Sequence, residues 1–212
     1  MQTLPDFGLI ETFGRTPEGD FPRLTRHLKR LERSAAHFGF NFQEESIHFE
    51  LGKTATLTGA LRVRLELKRD ASVEITAAPF QPLPPGTVWR LAIANERLDP
   101  SSSLIPHKTT ERSSYDNARV EFDRETVDEV LLLNTRDEIC EGTITNLFIK
   151  QPDSDVLLTP AASCGLLPGI LREELIENGS AREAVLLPSE IKAAQNIFVG
   201  NSLRGLIQAT LG

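Results

Sequence analysis

From residue 61 to residue 68 the side chains alternate without interruption: Leu61, Val63, Leu65 and Leu67 are apolar, while Arg62, Arg64, Glu66 and Lys68 are charged. A two-residue period fits a strand with one face in a core and the other in water. The Arg69-Asp70 step and the run Val73-Glu-Ile-Thr-Ala77 then predict a hairpin. Ahead of it, residues 7–13 read as a short strand and residues 17–20 as a turn. Residues 22–38 place Leu24, Leu28, Leu31, Ala35 and Phe38 on one helical stripe, with Gly39 positioned to end it. Arg23, His27, Arg30 and Ser34 share a flank of that stripe, and a basic flank of this kind can face an anion.

Residues 88–94 read as a further strand after a Pro-rich connector at 81–86, and Leu98-Asp-Pro-Ser-Ser-Ser103 is the strongest linker signal in the chain. The expected organisation is a small α+β domain over residues 1–98, a linker over 99–107 and a larger domain over 108–212. In the second part, a helix is expected over 110–122, carrying Tyr115, Ala118 and Phe122 on one side. A hairpin is expected from 130–133 and 139–149, its later arm holding Glu141 and Asn146. A strand over 156–159 precedes a helix that opens at Leu167-Pro-Gly-Ile170 and stops at Asn178-Gly179. Ser189 is expected to cap a short helix before the strand 197–200, which ends in the polar corner Asn201-Ser-Leu-Arg204-Gly205.

The charge balance excludes one class of partner. Lys+Arg 23 against Asp+Glu 30 gives a net charge of −7, so no broad basic footprint for nucleic acid exists. Cys140 and Cys164 stand in no metal-ligand spacing, so no metal site is expected and both read as small buried hydrophobes. No apolar run approaches a membrane span and the N-terminus lacks a leader pattern, which reads as a cytoplasmic protein. Gly52-Lys53-Thr54 is no phosphate loop, because Ile47 stands where that motif needs its first glycine.

What remains is chemical. Lys108 follows the linker, Glu141 sits inside an apolar run, and the amides of Ile170 and Leu171 open a helix after Pro-Gly. A hydroxyl ends a strand and Arg30 lies on a helix flank. Pyridoxal 5′-phosphate (PLP) would use all of these: an amine to form a Schiff base, a carboxylate to keep its ring nitrogen protonated, and amides, hydroxyl and arginine for its phosphate.

The sequence resembles the class IV, fold-type IV PLP enzymes, which include branched-chain and D-amino-acid aminotransferases and 4-amino-4-deoxychorismate lyases. The resemblance is carried by Glu141-Gly-Thr-Ile-Thr-Asn146-Leu147-Phe148, by Leu157-Leu-Thr159, and by Leu167-Pro-Gly169-Ile170-Leu171-Arg172, with His27-Leu-Lys-Arg30, His107-Lys108-Thr-Thr and Gly200-Asn201-Ser202 outside that core. It implies a two-domain D-amino-acid-aminotransferase-like fold with Lys108 as the catalytic Schiff-base lysine. By the same resemblance Arg30, Tyr115, Glu141, Asn146, Ile170, Leu171, Asn201 and Ser202 would contact the cofactor. Glu11-Thr12 resembles the family's cleft-facing strand, which would bring Thr12 to substrate, and Arg97 or Arg204 would bind a substrate carboxylate. The family opens with a β-hairpin ahead of the strand matching residues 8–13, so a truncated small domain is expected here. The HKTT form with Asn-Ser-Leu-Arg-Gly near the end is most like the lyases, which release 4-aminobenzoate and pyruvate for folate biosynthesis. An amino-acid aminotransferase and a non-catalytic PLP-binding module are the alternatives. The family also implies a homodimer acting on a small molecule.

Overall fold

The computed structural model describes residues 6–152 and 154–212. The chain divides into two compact units: one runs to Pro82 and takes in His107–Glu111, and the other comprises Leu83–Pro106 and Arg112–Gly212.

The first unit is built on an antiparallel sheet in the order β1 (Leu9–Arg15), β2 (Leu61–Leu67), β3 (Val73–Pro79). Its central strand is the alternating stretch. Leu61, Val63, Leu65 and Leu67 are each buried, and such burial stabilises by about 1.5–3 kcal/mol per side chain. Helix α1 (Leu24–Phe38) buries Leu28, Leu31 and Ala35 as its stripe requires, and Gly39 ends it in the left-handed conformation (φ 71°) with its N–H on the Ala35 carbonyl. Helix α2 (Glu44–Gly52) has no clear sequence signal, because it buries only Ile47 and Leu51 while Phe49 stays 70% exposed. The free edge of β1 is covered by the segment around Lys108. Leu9 pairs with Thr109 as an antiparallel bridge. The Ile10 N–H donates to the Lys108 carbonyl at 2.9 Å, and the Thr110 N–H to that of Gly8 at 2.9 Å.

The second unit holds an eight-stranded mixed sheet. Its strands in chain order are β4 (Val88–Leu98), β5 (Glu129–Asn134), β6 (Ile139–Gly142), β7 (Asn146–Lys150), β8 (Leu157–Pro160), β9 (Ala181–Ala184), β10 (Asn196–Asn201) and β11 (Gly205–Leu211). In space they run β6-β5-β4-β11-β10-β7-β8-β9. The sheet curls until its edges approach, and the Ile139 N–H donates to the Leu186 carbonyl, just past β9, at 2.8 Å. The concave interior buries Leu91, Leu131, Ile139, Leu147, Ile149 and Val199. The opposite face buries Ala94, Val130, Leu132, Cys140 and Leu166 together with Ala118 of helix α3 (Ser113–Val120). β5 is thus covered on both sides, which is why its sequence runs Val-Leu-Leu-Leu without alternation.

Three expectations change. β4, expected in the N-terminal domain, is paired in parallel with both β5 and β11 inside the second unit's sheet. Nothing local to a strand states which distant partner it will take, so the boundary drawn at 98 differs from the division of the chain at Pro82. The expected hairpin arm 139–149 breaks into β6 and β7, which lie in different parts of the sheet order. Helix α5 (Pro188–Ala193) begins one residue ahead of its expected cap, Ser189, with the Leu187 N–H on the Glu190 carboxylate at 2.8 Å. Helix α4 (Ile170–Glu177) lies where the Pro-Gly start and the Asn178-Gly179 stop predict. Among the described residues no helix is long and apolar enough to cross a membrane.

Candidate active site

In the second unit the chemistry gathers around Glu141 at the end of β6, where it is 4% exposed. A carboxylate in such a place is costly unless donors surround it. Its Oε1 accepts the Tyr115 hydroxyl at 2.7 Å and the Leu167 N–H at 2.9 Å, and its Oε2 lies 3.3 Å from the Asn146 amide nitrogen. That same nitrogen donates to the Leu167 carbonyl at 3.0 Å. Burial, then the charge and hydrogen bond of Glu141, push the Tyr115 phenol well above its ordinary value, so it remains a donor. The Arg112 guanidinium lies 5.0 Å over the Tyr115 ring.

Helix α4 opens directly beside this group. A Cβ on Gly169, the residue before Ile170, would stand 2.0 Å from the Asn146 Oδ1. Glycine is needed there for close approach, since its φ of −71° is one any residue can adopt. The first-turn N–H groups of Ile170 and Leu171 have no carbonyl of their own helix to bond, which suits an anion. The end of β10 packs on the same turn: a Cβ on Gly200 would be 2.9 Å from the Leu171 side chain and 2.7 Å from the Gly205 carbonyl. Beyond it the Asn201 carbonyl oxygen Oδ1 accepts from the Leu203 and Arg204 N–H groups at 3.2 and 3.0 Å, shaping the turn on which Ser202 and Arg204 sit. Tyr115, Glu141 and Asn146 are therefore bonded together, and Ile170, Leu171, Asn201 and Ser202 lie on adjoining turns. Arg97 stands apart. At the register shift of β4 its guanidinium donates to the carbonyls of Ala94, Asn95 and Glu96 and to Asp137.

In the first unit Lys108 is half-buried on the segment that edges β1. Its neighbour His107 shares a hydrogen bond between Nδ1 and the Ser34 hydroxyl at 2.9 Å and stacks on His37 at 4.5 Å. Burial, then the charges of His37 and Arg33, lower the His107 pKa. Arg30, predicted on a helix flank, is 5% exposed and meets Glu11 in a fork: Nε to Oε1 at 2.8 Å and Nη2 to Oε2 at 2.6 Å. His27 Nδ1 lies 2.6 Å from the same Oε2. Burial pushes the Glu11 carboxyl up, but Arg30 and His27 outweigh it and hold it at about 2. Thr12 follows on the opposite face of β1, half-buried.

Glu129, buried at the start of β5, lies outside what sequence reasoning identifies, and Glu11 on β1 is identified there only as part of a cleft-facing strand, not as the buried partner of Arg30. In the sequence Glu11 is only a neighbour of Thr12, and Glu129 is one acidic residue ahead of an apolar run. Their partners are residues far along the chain or backbone amides, neither of which a local pattern displays.

Residues 8–211 match the family described as amino-transferase class IV. The chain belongs to that family. Among curated relatives of this class IV protein is one from Schizosaccharomyces pombe, provisionally named aminodeoxychorismate lyase. It is 27% identical over 200 residues that cover 92% of this chain and 86% of the relative. A Thermotoga maritima protein, provisionally named branched-chain-amino-acid aminotransferase, is 28% identical over 93% of this chain and 73% of its own. A solved structure from Mesorhizobium loti, provisionally named amino-acid aminotransferase, is 47% identical with a TM-score of 0.95, covering 98% of this chain and 100% of that one. The fold is the mixed α/β fold-type IV arrangement of these enzymes. Class IV proteins are PLP-dependent lyases or aminotransferases, and this one is an enzyme of that group.

Proposed function

We propose that this protein is a PLP-dependent lyase that converts 4-amino-4-deoxychorismate to 4-aminobenzoate and pyruvate. The observation that carries the cofactor is the Glu141 carboxylate, buried and oriented by Tyr115, Asn146 and the Leu167 amide. The residues fit PLP: an acceptor for a protonated ring nitrogen stands beside a helix start, and Gly169 and Gly200 leave no room for a Cβ around that start.

When bound, PLP supplies an aldehyde carbon for an amine and a protonated ring that accepts the electron pair of a broken C–H bond. Lys108 would hold the cofactor covalently and, as a free amine, would be the base that takes the substrate's proton. That role needs the amine to be neutral when it takes the proton. Glu141 keeps the ring nitrogen protonated, and Tyr115 and Asn146 keep Glu141 in place. The amides of Ile170 and Leu171, Asn201 and Ser202 hold the phosphate, and the resemblance adds Arg30, whose Nε and Nη2 Glu11 already engages. Arg204 receives a substrate carboxylate and Thr12 contacts substrate. Arg97, with its guanidinium occupied by its own strand, is given no such role. The resemblance further supports a homodimer.

The lyase reading draws on the S. pombe relative. The 47% identical Mesorhizobium chain favours a second reading, an amino-acid aminotransferase. A non-catalytic PLP carrier has less support, since a carrier has no use for a carboxylate kept buried at this cost. The test is visible absorption of the wild type and Lys108→Ala with PLP, followed by addition of aminodeoxychorismate made in situ. The lyase releases 4-aminobenzoate and pyruvate with no oxo acid present. Conversion to the pyridoxamine form by amino acids alone would replace it with the aminotransferase. A wild type whose PLP spectrum matches that of Lys108→Ala would overturn both.

A further inference from the structure

Glu129 is 1% exposed at the start of β5, and its carboxylate collects five donors. Oε1 accepts the Val130 N–H at 2.9 Å, the Thr143 N–H at 3.1 Å and the Thr143 hydroxyl at 2.6 Å. Oε2 accepts the Ile144 N–H at 3.1 Å and the Thr145 hydroxyl at 2.8 Å. Four of the five come from the turn 143–145. That turn joins β6, which ends in Glu141-Gly142, to β7, which begins with Asn146.

The three carbonyls of the turn are also engaged. Arg112 donates to the Thr143 carbonyl at 2.6 Å and Asn201 to that of Ile144 at 3.1 Å, while the Thr145 carbonyl accepts the Gly142 N–H at 2.7 Å. A Cβ on Gly142 would stand 2.8 Å from the Glu129 carboxylate and 2.5 Å from the Thr145 hydroxyl, so Gly142 lets the carboxylate enter. An acceptor-only group with two oxygens suits a turn that offers it nothing but donors. Ile144 at the tip is 51% exposed, so no apolar packing of that side chain could take over the task.

Resting on the cofactor reading above, we infer that Glu129 is a positioning residue of the active site: its carboxylate fixes the turn 143–145 and, through that turn, the placement of Glu141 and Asn146. It touches no reacting atom. Its effect is on the carboxylate one strand over, which lies in register with Leu132 of β5. Through the bond from Asn201 to Ile144, the same turn also steadies the corner that carries Ser202.

Tyr115 is the only tyrosine in the chain, and it donates to Glu141. The protein labelled with [13Cζ]tyrosine therefore gives one resonance that reports this bond without cofactor. Glu141→Gln defines the resonance position when the charged acceptor is lost. Glu129→Ala is expected to move the resonance toward that position, while Glu129→Gln, which keeps the Oε1 bonds, stays near the wild type. Ile207→Ala, a core cavity on β11, is expected to leave the resonance in place while lowering stability. Should Glu129→Ala fail to fold, Thr143→Val/Thr145→Val removes both hydroxyl donors and is expected to shift the resonance in the same direction. A folded Glu129→Ala, or failing that the double variant, with the wild-type resonance would overturn the inference. In a PLP titration, Glu129→Ala is expected to weaken binding by about ten- to a hundred-fold, as loss of an outer-shell support does at metal sites, and Ile207→Ala is not. Equal weakening in both would also overturn it. If the wild type binds no PLP, the cofactor reading falls alone, and the resonance still decides whether Glu129 places Glu141.

Discussion

Replacing Glu11 by Gln should remove both stability and a particular acid limb. The carboxyl is held at about 2 against an ordinary 4.5, chiefly by the Arg30 charge and the bonds from His27 and Arg30 that overcome burial. At about 1.4 kcal/mol per pH unit, this difference corresponds to about 3 kcal/mol. Breaking a buried pair on one side costs about 3–5 kcal/mol, which agrees. Because the folded pKa is depressed, the contribution is complete above about pH 4.5 and drains away as pH falls toward 2. The assay is urea unfolding followed by circular dichroism from about pH 7 to about pH 2, for the wild type and Glu11→Gln. The stability difference should be about 3 kcal/mol at neutral pH and should shrink progressively between pH 4.5 and 2. A variant as stable as the wild type at neutral pH, or a gap that does not change with pH, would refute the reasoning.

Gly169→Ala should act on the site more than on the fold. The new methyl falls on the Asn146 amide oxygen, the far end of a side chain anchored to Glu141 and Leu167. We expect PLP binding to weaken at least about tenfold with a stability loss of about 1–3 kcal/mol, the usual range for overpacking, measured by PLP titration and thermal unfolding. The two thiols should be inert in the folded protein. Burial raises Cys140, and burial with the nearby Glu138 raises Cys164 to about 11, so a thiol reagent at about pH 8 should label neither until denaturant is added.

The parts of the fold legible in the sequence are those whose physics is local. The alternation of β2, the stripe of α1 and its Gly39 stop, and the Pro-Gly start of α4 all repeat a rule within a few residues. Lys108, Glu141 and Asn146 stand out because their residue types are unexpected in their surroundings and fit a known pattern. The parts that cannot be read depend on distance. β9 and β11 are short or interrupted apolar runs stabilised by pairing with distant strands. β4 looks like any other strand, and only β5 and β11 assign it to its sheet. Arg30 is expected to face an anion, but the anion it grips in this structure is Glu11, whose sequence neighbours give no hint of it.

The bond from Ile10 to Lys108 has a consequence for how this protein can be cut and rebuilt. The chain leaves the first unit at Pro82 and returns for five residues, His107–Glu111, before leaving again. That unit is therefore not an uninterrupted stretch of the gene. A fragment ending at Pro82 would lack the segment that covers β1, leaving the amides of Gly8 and Ile10 bare on a sheet edge, where another chain can add itself. For the unit to fold by itself, those five residues must be grafted back, and Lys108 comes with them.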